Sequence, residues 1–179
     1  AINGYLSLGA QTIGNTHVLT PGKNLAVSAV TTLPFGSSIN LSGGSFGTGY
    51  LTKSGGTFTF NSGSFGLGIQ VLNIETGGLL GSNVTLGTGK NLSLGSTMTI
   101  ASNGLLYLSG GSLVVGGGLV NNGEIHMSDP SAPVTGSVVV NNKLIEGNGR
   151  FMTTGLQNAS GGEIRVSGAG NRITLSGFP

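Results

Sequence analysis

The 179-residue sequence predicts an all-β fold: a single-stranded parallel β-helix, or β-solenoid, that contains almost no helix. Three observations support this prediction: an internal repeat, short apolar pulses with a period of two, and glycine at the intervening turns. Segments 19–46 and 86–113 align without a gap at a constant offset of 67 (86 − 19), with 11 of 28 positions identical. A long repeat of alternating apolar and polar residues is typical of a solenoid.

A shorter period gives the length of one coil. The segment LSGGSF at 41–46 recurs as FNSGSF at 60–65, an offset of 19 (60 − 41), and VNNGEI at 120–125 recurs as VNNKLI at 140–145, an offset of 20 (140 − 120). Coils of roughly this length predict about nine coils in the chain, with the long repeat covering three of them. Because stacked strands lie about 4.8 Å apart, the rod would be about 40 Å long.

Comparison of the two repeat copies predicts which side chains point inward. Positions 39 and 41 are apolar in both copies, whereas Asn40, which lies between them, aligns with Tyr107. Alternate side chains of a strand point to opposite faces. The residues predicted to point inward are Leu25, Val27, Ile39, Leu41, Leu92, Leu94, Leu106 and Leu108, and those predicted to point outward are Ala26, Asn40, Ser93 and Tyr107.

Two asparagine pairs, Asn121/Asn122 and Asn141/Asn142, are predicted to lie at turns. Asparagine tolerates a left-handed backbone, and stacked asparagine amides can form hydrogen bonds from coil to coil. The segment DPSAP at 129–133 is predicted to be a loop because its two prolines cannot donate to a strand ladder.

The sequence predicts a single β-solenoid domain that covers 1–179. Eight of the 12 charged residues lie from Glu124 onward, which divides the rod into an uncharged repeat body (1–118) and a more charged C-terminal section (119–179). The net charge is only +2, and the seven Lys and Arg residues are scattered. A nucleic-acid partner is therefore not expected, because such binding needs clustered basic residues.

No pattern in the sequence predicts catalysis, a cofactor or a metal site. The GKN motifs at Gly22 and Gly89 lack the preceding glycine that a phosphate-binding loop needs, which leaves their lysines at solvated turns. His17 and His126 have no partners at metal-ligand spacing, and we expect both to be turn or surface residues.

Polysaccharide-active enzymes, the third and least favoured interpretation, use paired carboxylates. Glu124, Glu146 and Arg165 could come close on adjacent coils, but structural salt links explain that spacing equally well. We therefore expect that the protein is not an enzyme.

Several features fit an exported protein. The chain begins at Ala1, as expected after removal of a signal peptide, and it contains no cysteine. No apolar run reaches the ~18 residues of a membrane-spanning helix, so we expect no membrane span. We interpret the glycosylation sequons as chance in so polar a chain; they begin at Asn40, Asn83, Asn91 and Asn158.

The pulses LVNNGEI at 119–125 and LQNASGGEI at 156–164, on a low-charge Gly/Asn/Ser/Thr background, resemble bacterial exported repeat proteins. These are autotransporter passengers, filamentous-haemagglutinin-like adhesins and exopolysaccharide-associated surface proteins. The resemblance implies a right-handed parallel β-helix at the cell surface or in a biofilm matrix, where it would act in adhesion or as a scaffold.

The end coils of a solenoid expose unpaired strand edges, which soluble solenoids cap with a helix or with a charged, proline-bearing segment, and neither terminus looks like such a cap. The sequence therefore predicts a secreted structural protein that assembles with itself into an extracellular fibre or matrix, by head-to-tail stacking or strand addition. The predicted contact residues are Ala1, Ile2, Tyr5, Leu6, Leu8, Ile164, Val166, Ile173, Leu175 and Phe178. The alternative is a surface adhesin or glycan-binding module whose contact face carries Tyr50 and Tyr107.

Overall fold

The computed structural model describes residues 4–167 and 169–176, and within them the chain forms 21 β-strands and no helix. The prediction of an all-β fold is confirmed. The strands are β1 (Tyr5–Leu8), β2 (Gln11–Thr12), β3 (Thr16–Leu19), β4 (Asn24–Pro34), β5 (Ser38–Ser54), β6 (Thr57–Leu67), β7 (Leu72–Ile74), β8 (Asn83–Gly87), β9 (Lys90–Leu94), β10 (Met98–Ile100), β11 (Leu105–Ser109), β12 (Ser112–Val115), β13 (Leu119–Asn121), β14 (Glu124–Met127), β15 (Val134–Gly136), β16 (Val139–Asn141), β17 (Leu144–Gly147), β18 (Gly149–Thr153), β19 (Leu156–Asn158), β20 (Glu163–Arg165) and β21 (Ile173–Ser176).

The strands wind into a parallel β-solenoid in which each turn contributes, in chain order, one segment to face A, one to face B and one to face C. Face A runs through β1, β4, β5, β6, β9, β12, β15, β18 and β21. From turn 4 onward, face B consists of strands β7, β10, β13, β16 and β19. Over the same turns, face C consists of strands β8, β11, β14, β17 and β20. The long strands β4, β5 and β6 continue around corners between faces. Nine strands along face A make eight complete turns and the start of a ninth, where the repeat length predicted about nine coils.

Stacked apolar side chains fill the interior. All the residues that the sequence predicts to point inward are at most 2% exposed, and Tyr107 points outward with 39% exposure, so the predicted facing is confirmed. The paired positions of face A form a ladder through the whole rod. Its members are Leu6, Leu25, Phe46, Phe65, Leu92, Leu113, Val134, Phe151 and Leu175. Burial of this ladder removes apolar surface from water and is the main favourable term in folding.

The turns are unequal in length, and turn 4 is the longest. Phe65 pairs with Leu92 across a chain separation of 27 (92 − 65), whereas Val134 pairs with Phe151 across a separation of only 17 (151 − 134). The additional chain in turn 4 forms a loop at 75–82 between β7 and β8. The loop makes two tight turns, in which Gly78 N–H donates to Glu75 O and Gly81 N–H donates to Gly78 O.

A break, which we call the seam, separates turn 3 from turn 4 on two of the three faces. On face A the ladder is continuous, because 45–48 of β5 pairs with 64–67 of β6. On face B β7 is an end strand and pairs only with β10, and on face C β8 is an end strand and pairs only with β11. In the described part of the chain, therefore, only face A carries backbone pairing across the seam.

The asparagine turns differ from the prediction in their backbone. Every described residue with positive φ is a glycine, so the prediction of left-handed asparagine is wrong. Asn121 and Asn141 instead end strands β13 and β16 with extended backbone, and both side chains are fully buried. The loop predicted at 129–133 is confirmed between β14 and β15, where Asp129 Oδ1 accepts hydrogen bonds from Ser131.

Candidate functional site

Those of the predicted contact residues that the structure describes lie at the two ends of the rod. Leu6 and Leu8 lie in β1, the first strand of face A, and Ile173 and Leu175 lie in β21, its last strand. Ile164 lies in β20, the last strand of face C, and Val166 follows that strand. Tyr5 belongs to β1, whereas Ala1, Ile2 and Phe178 lie outside the described residues.

The ladders stay apolar up to the end turns, where their members become exposed. Leu175 is 46% exposed, whereas Phe151 is fully buried one turn further in. Ile164 is 38% exposed beneath the fully buried Ile145. At the other end Leu6 is 38% exposed, whereas its pairing partner Leu25 is 2% exposed. Both ends of the described rod thus present inward-pointing aliphatic side chains to solvent.

A ladder of asparagine amides runs along the corner between faces B and C. Asn121 Nδ2 donates to Asn141 Oδ1 at 2.7 Å, and Asn141 Nδ2 donates to Asn158 Oδ1 at 2.7 Å. The same two amide nitrogens also donate to the backbone carbonyls of Leu144 and Glu163. The predicted coil-to-coil stacking of asparagine is therefore confirmed. Asn158 is exposed at the last turn.

Charged side chains on the outer side of face C form a second ladder, which we call the charged ladder. His126 lies between two carboxylates, with Nε2 3.0 Å from Glu124 Oε2 and Nδ1 2.9 Å from Glu146 Oε1. The Tyr107 ring stacks on the His126 ring with their centroids 5.6 Å apart. The members of the ladder are Glu124, His126, Lys143, Glu146, Glu163 and Arg165.

His126 faces outward, as predicted for a surface residue, but it lies in strand β14 and not at a turn, and strand pairing places Glu146 directly beneath it. The two VNN segments recur at an offset of 20, which equals the separation of His126 and Glu146 (146 − 126). This repeat could therefore have predicted the pair. Glu124 is held on both sides, since Lys143 Nζ lies 3.4 Å from its Oε1. Hydrogen bonds from His126 and then from Lys143 lower the pKa of the Glu124 carboxyl from its ordinary value.

The side chains of the charged ladder pair with one another from turn to turn. Arg165 forms a double hydrogen bond with Glu163, through Nε at 2.9 Å and Nη2 at 3.0 Å, and reaches Glu146 Oε2 at 3.3 Å. The two carboxylates on His126 contact opposite ring nitrogens and cannot converge on one ion. Among the described residues, no group of three His, Cys, Asp or Glu side chains is arranged to hold a metal. The expected absence of catalysis stays a prediction from the sequence.

A cleft opens along the seam, and we call it the seam cleft. Its deeper part, on face C, has a volume of about 420 Å³, and a shallower part on face B has about 290 Å³. Both parts share Lys53 and Leu79. The remaining lining residues are Phe58, Thr59, Phe60, Gly78, Leu80, Gly81, Asn83, Val84, Thr85 and Lys90 in the deeper part, and Tyr50, Leu51, Thr52, Gln70 and Gly77 in the shallower part.

The two tyrosines predicted for a glycan-contact face are not brought together. Tyr50 lies in the face B segment of β5 and pairs with Val30, whereas Tyr107 lies in β11 on face C and pairs with His126. The sequence predicts that Lys90 lies at a solvated turn. In the structure Lys90 directly follows a turn in which Gly89 has φ 79°. Its ammonium group, however, points over the Phe60 ring in the seam cleft.

In comparisons with known proteins, no family model matches the chain, and no match was found among curated proteins or among solved structures. The resemblance to exported bacterial repeat proteins stays a prediction from sequence style. Within residues 4–167 and 169–176, the structure contains no helix that could cross a lipid bilayer.

Proposed function

We propose that this chain is a secreted structural protein, the subunit of an extracellular fibre or matrix that assembles head to tail through its end turns. One observation carries the proposal: the apolar ladders run to both ends of the described rod and are half-exposed there. A surface of inward-pointing aliphatic residues next to an open strand edge is what another turn of the same solenoid would cover.

The strand register indicates how two copies would join. Strand β21 ends face A at one end of the rod and β1 begins it at the other, and both pair in parallel with their neighbours. A second copy stacked in the same register would place its Leu6 beneath Leu175 and continue the face A ladder. Burial of each of these leucines would contribute about 1 kcal/mol, in addition to the new backbone hydrogen bonds.

The charges of the two ends are compatible with contact. Segment 4–19 contains no Asp, Glu, Lys or Arg. At the other end the charges of Glu163 and Arg165 neutralise each other through their double hydrogen bond. Two end turns can therefore approach without repulsion between like charges. Charge is a usual guard against the pairing of strand edges. Segment 4–19 lacks it, and at the other end Arg172, directly before β21, meets no like charge on that segment.

The proposed extracellular location rests on composition. The chain contains no cysteine and only 12 charged residues, and its polar surface is built mainly from hydroxyl and amide groups. These are the properties that it shares with the exported repeat proteins it resembles. The alternative of one glycan-contact face with Tyr50 and Tyr107 gains no support, because the two rings lie on different faces.

Negative-stain electron microscopy of the purified chain at increasing concentration tests the proposal. We expect unbranched filaments whose width is that of one rod and whose length grows with concentration. Single rods about 40 Å long at every concentration would contradict it.

A further inference from the structure

The seam cleft contains a lysine at a position where the neighbouring turn carries a core residue. Lys53 pairs with Leu33, which is fully buried, so its side chain leaves the strand on the inward side. Instead of entering the core, it lies exposed in the cleft, where Nζ donates a hydrogen bond to Leu79 O at 3.0 Å. The charge of this inward-facing lysine therefore lies in the cleft and not in the core.

A second lysine reaches the same cleft from turn 5. Lys90 Nζ lies 5.6 Å from the centroid of the Phe60 ring. Beside Lys90, the cleft wall is formed by the aromatic rings of Phe58 and Phe60. Both rings contact the Phe65 ring, with centroid distances of 4.5 and 5.9 Å. In the described part of the chain, neither Lys53 nor Lys90 forms an ion pair with a carboxylate.

The seam cleft carries two basic side chains, and the loop that lines it begins with one carboxylate, Glu75. Segment 1–118 carries three lysines against the single carboxylate of Glu75, which accounts for the whole net charge of +2. Two of those three lysines line the seam cleft. The charges of segment 119–179, four acidic and four basic, cancel.

We propose that the seam cleft binds an acidic oligosaccharide. The deeper part has the size of a small-molecule site, about 420 Å³, and combines apolar walls with a few polar groups. The shallower part on face B, which is lined by Tyr50, adjoins the deeper part at Lys53 and Leu79 and offers room for further sugars. Sugar carboxylates would accept charge-assisted hydrogen bonds from Lys53 and Lys90, while the C–H faces of the rings would cover Phe60 and Tyr50.

An acidic peptide is the competing ligand, because strand edges flank the seam and could accept an added strand. The face B edge is already capped, however. Gln70 Oε1 accepts a hydrogen bond from Leu51 N–H at 2.8 Å, and Gln70 Nε2 donates to Leu51 O at 3.3 Å. Leu79 and Leu80 of the loop pack against the core and cover part of the remaining gap. The cleft therefore offers a ligand mainly side chains and few free backbone groups, which favours the binding of a glycan over the addition of a peptide strand.

Titration calorimetry of the full chain with a galacturonic acid hexamer tests this proposal. The fully methyl-esterified hexamer is the neutral control of the same shape, and a glutamate hexapeptide represents the acidic peptide. We expect the acid hexamer to bind about tenfold or more tightly than either, and its affinity to fall as salt is added.

The double variant Lys53→Gln/Lys90→Gln should lose about tenfold or more in affinity for the acid hexamer. Lys23→Gln is the matched control, because it also removes a lysine charge, at a turn outside the cleft. Circular dichroism melting would establish that the variants are folded. The proposal is overturned if the acid hexamer does not bind, if the ester or the peptide binds equally well, or if the lysine variants and the control behave alike. Because the cleft lies away from the end turns, filament formation by the double variant should be unchanged.

Discussion

Leu175 lies directly beneath Phe151 in the face A ladder, yet Phe151 is fully buried whereas Leu175 is 46% exposed. The difference arises because Phe151 has a turn on each side of it. The last described turn is therefore built like an internal turn, with an apolar inward face. It is suited to receive another turn, and the proposed fibre contact uses this face.

A charge on that face should prevent assembly. Leu175→Glu would place a carboxylate where the next copy's Leu6 should stack, and an unpaired buried charge is costly. We expect loss of filaments in electron micrographs, with a fall of about 1 kcal/mol in unfolding free energy because Leu175 is half-exposed. Ser93→Glu, on the outer side of face A in the middle of the rod, is the control and should still form filaments. Filaments of Leu175→Glu would contradict the proposed contact.

The buried asparagine ladder should contribute more stability than the outer one. Asn141 is fully buried and its amide connects three turns, whereas Asn142 is partly exposed and its side-chain amide donates one hydrogen bond among the described residues, to Asn122 Oδ1. Asn141→Ala would remove three hydrogen bonds at a fully buried position, with Asn121, Asn158 and the Glu163 carbonyl, and should lower the unfolding free energy by about 2 to 3 kcal/mol. Asn142→Ala should cost about 1 kcal/mol or less. Urea denaturation measures both, and equal losses would show that the inner ladder has no special role.

A glycine near the charged ladder should resist substitution. Gly147 has φ 105°, and a Cβ there would collide with the Met127 carbonyl oxygen of the preceding turn. Gly147→Ala should therefore destabilise the fold by about 2 kcal/mol or more. Gly47→Ala is the control, because a Cβ at that position meets nothing within 4 Å. Thermal melting compares the two variants, and a neutral Gly147→Ala would be inconsistent with the described packing of β17 on β14.

The charged ladder should weaken in acid. Hydrogen bonds from His126 and Lys143 lower the pKa of Glu124 from its ordinary value of 4.5, so the folded state binds this proton less tightly than the unfolded state. The stabilisation is therefore complete above that value and is lost as the pH falls through the folded pKa. Compared with Glu124→Gln, the wild type should be more stable near neutral pH, and the difference should shrink in acid.

Urea midpoints measured between about pH 6 and pH 3 provide this comparison. Glu75→Gln is the reference variant, since Glu75 forms no ion pair within the described residues. A gap between wild type and Glu124→Gln that stays constant over the whole range would refute the role given to Glu124.

The repeat made much of the fold predictable from the sequence. Two aligned copies separate positions that are apolar in both from positions that differ, so the opposite facing of Leu106 and Tyr107 follows from the alternation alone. The asparagine stacking followed from the recurrence of the VNN segments. These properties depend on local alternation and on period, and both can be read directly from a chain.

The seam was missed because it depends on unequal turns, whereas the charged ladder was anticipated only in part, as salt links among Glu124, Glu146 and Arg165. The constant offset that relates Leu25 to Leu92 averages three turns and hides the long one that carries the 75–82 loop. Lys53 could not be recognised as a cleft residue, because its inward position depends on its pairing with Leu33. His126 and Glu146 are adjacent only through the strand register.

Disulfide cross-linking between copies is the most direct test of the proposed assembly, because the native chain contains no cysteine. In the proposed register Ser176 of one copy pairs with Ser7 of the next, at the strand spacing of about 4.8 Å that a disulfide can bridge. Oxidation of Ser7→Cys/Ser176→Cys should give a ladder of covalent multimers on non-reducing gels. The same treatment of Ser7→Cys/Ser93→Cys should give none. Equal cross-linking of the two variants, or none in either at concentrations where filaments form, would contradict head-to-tail stacking of the end turns.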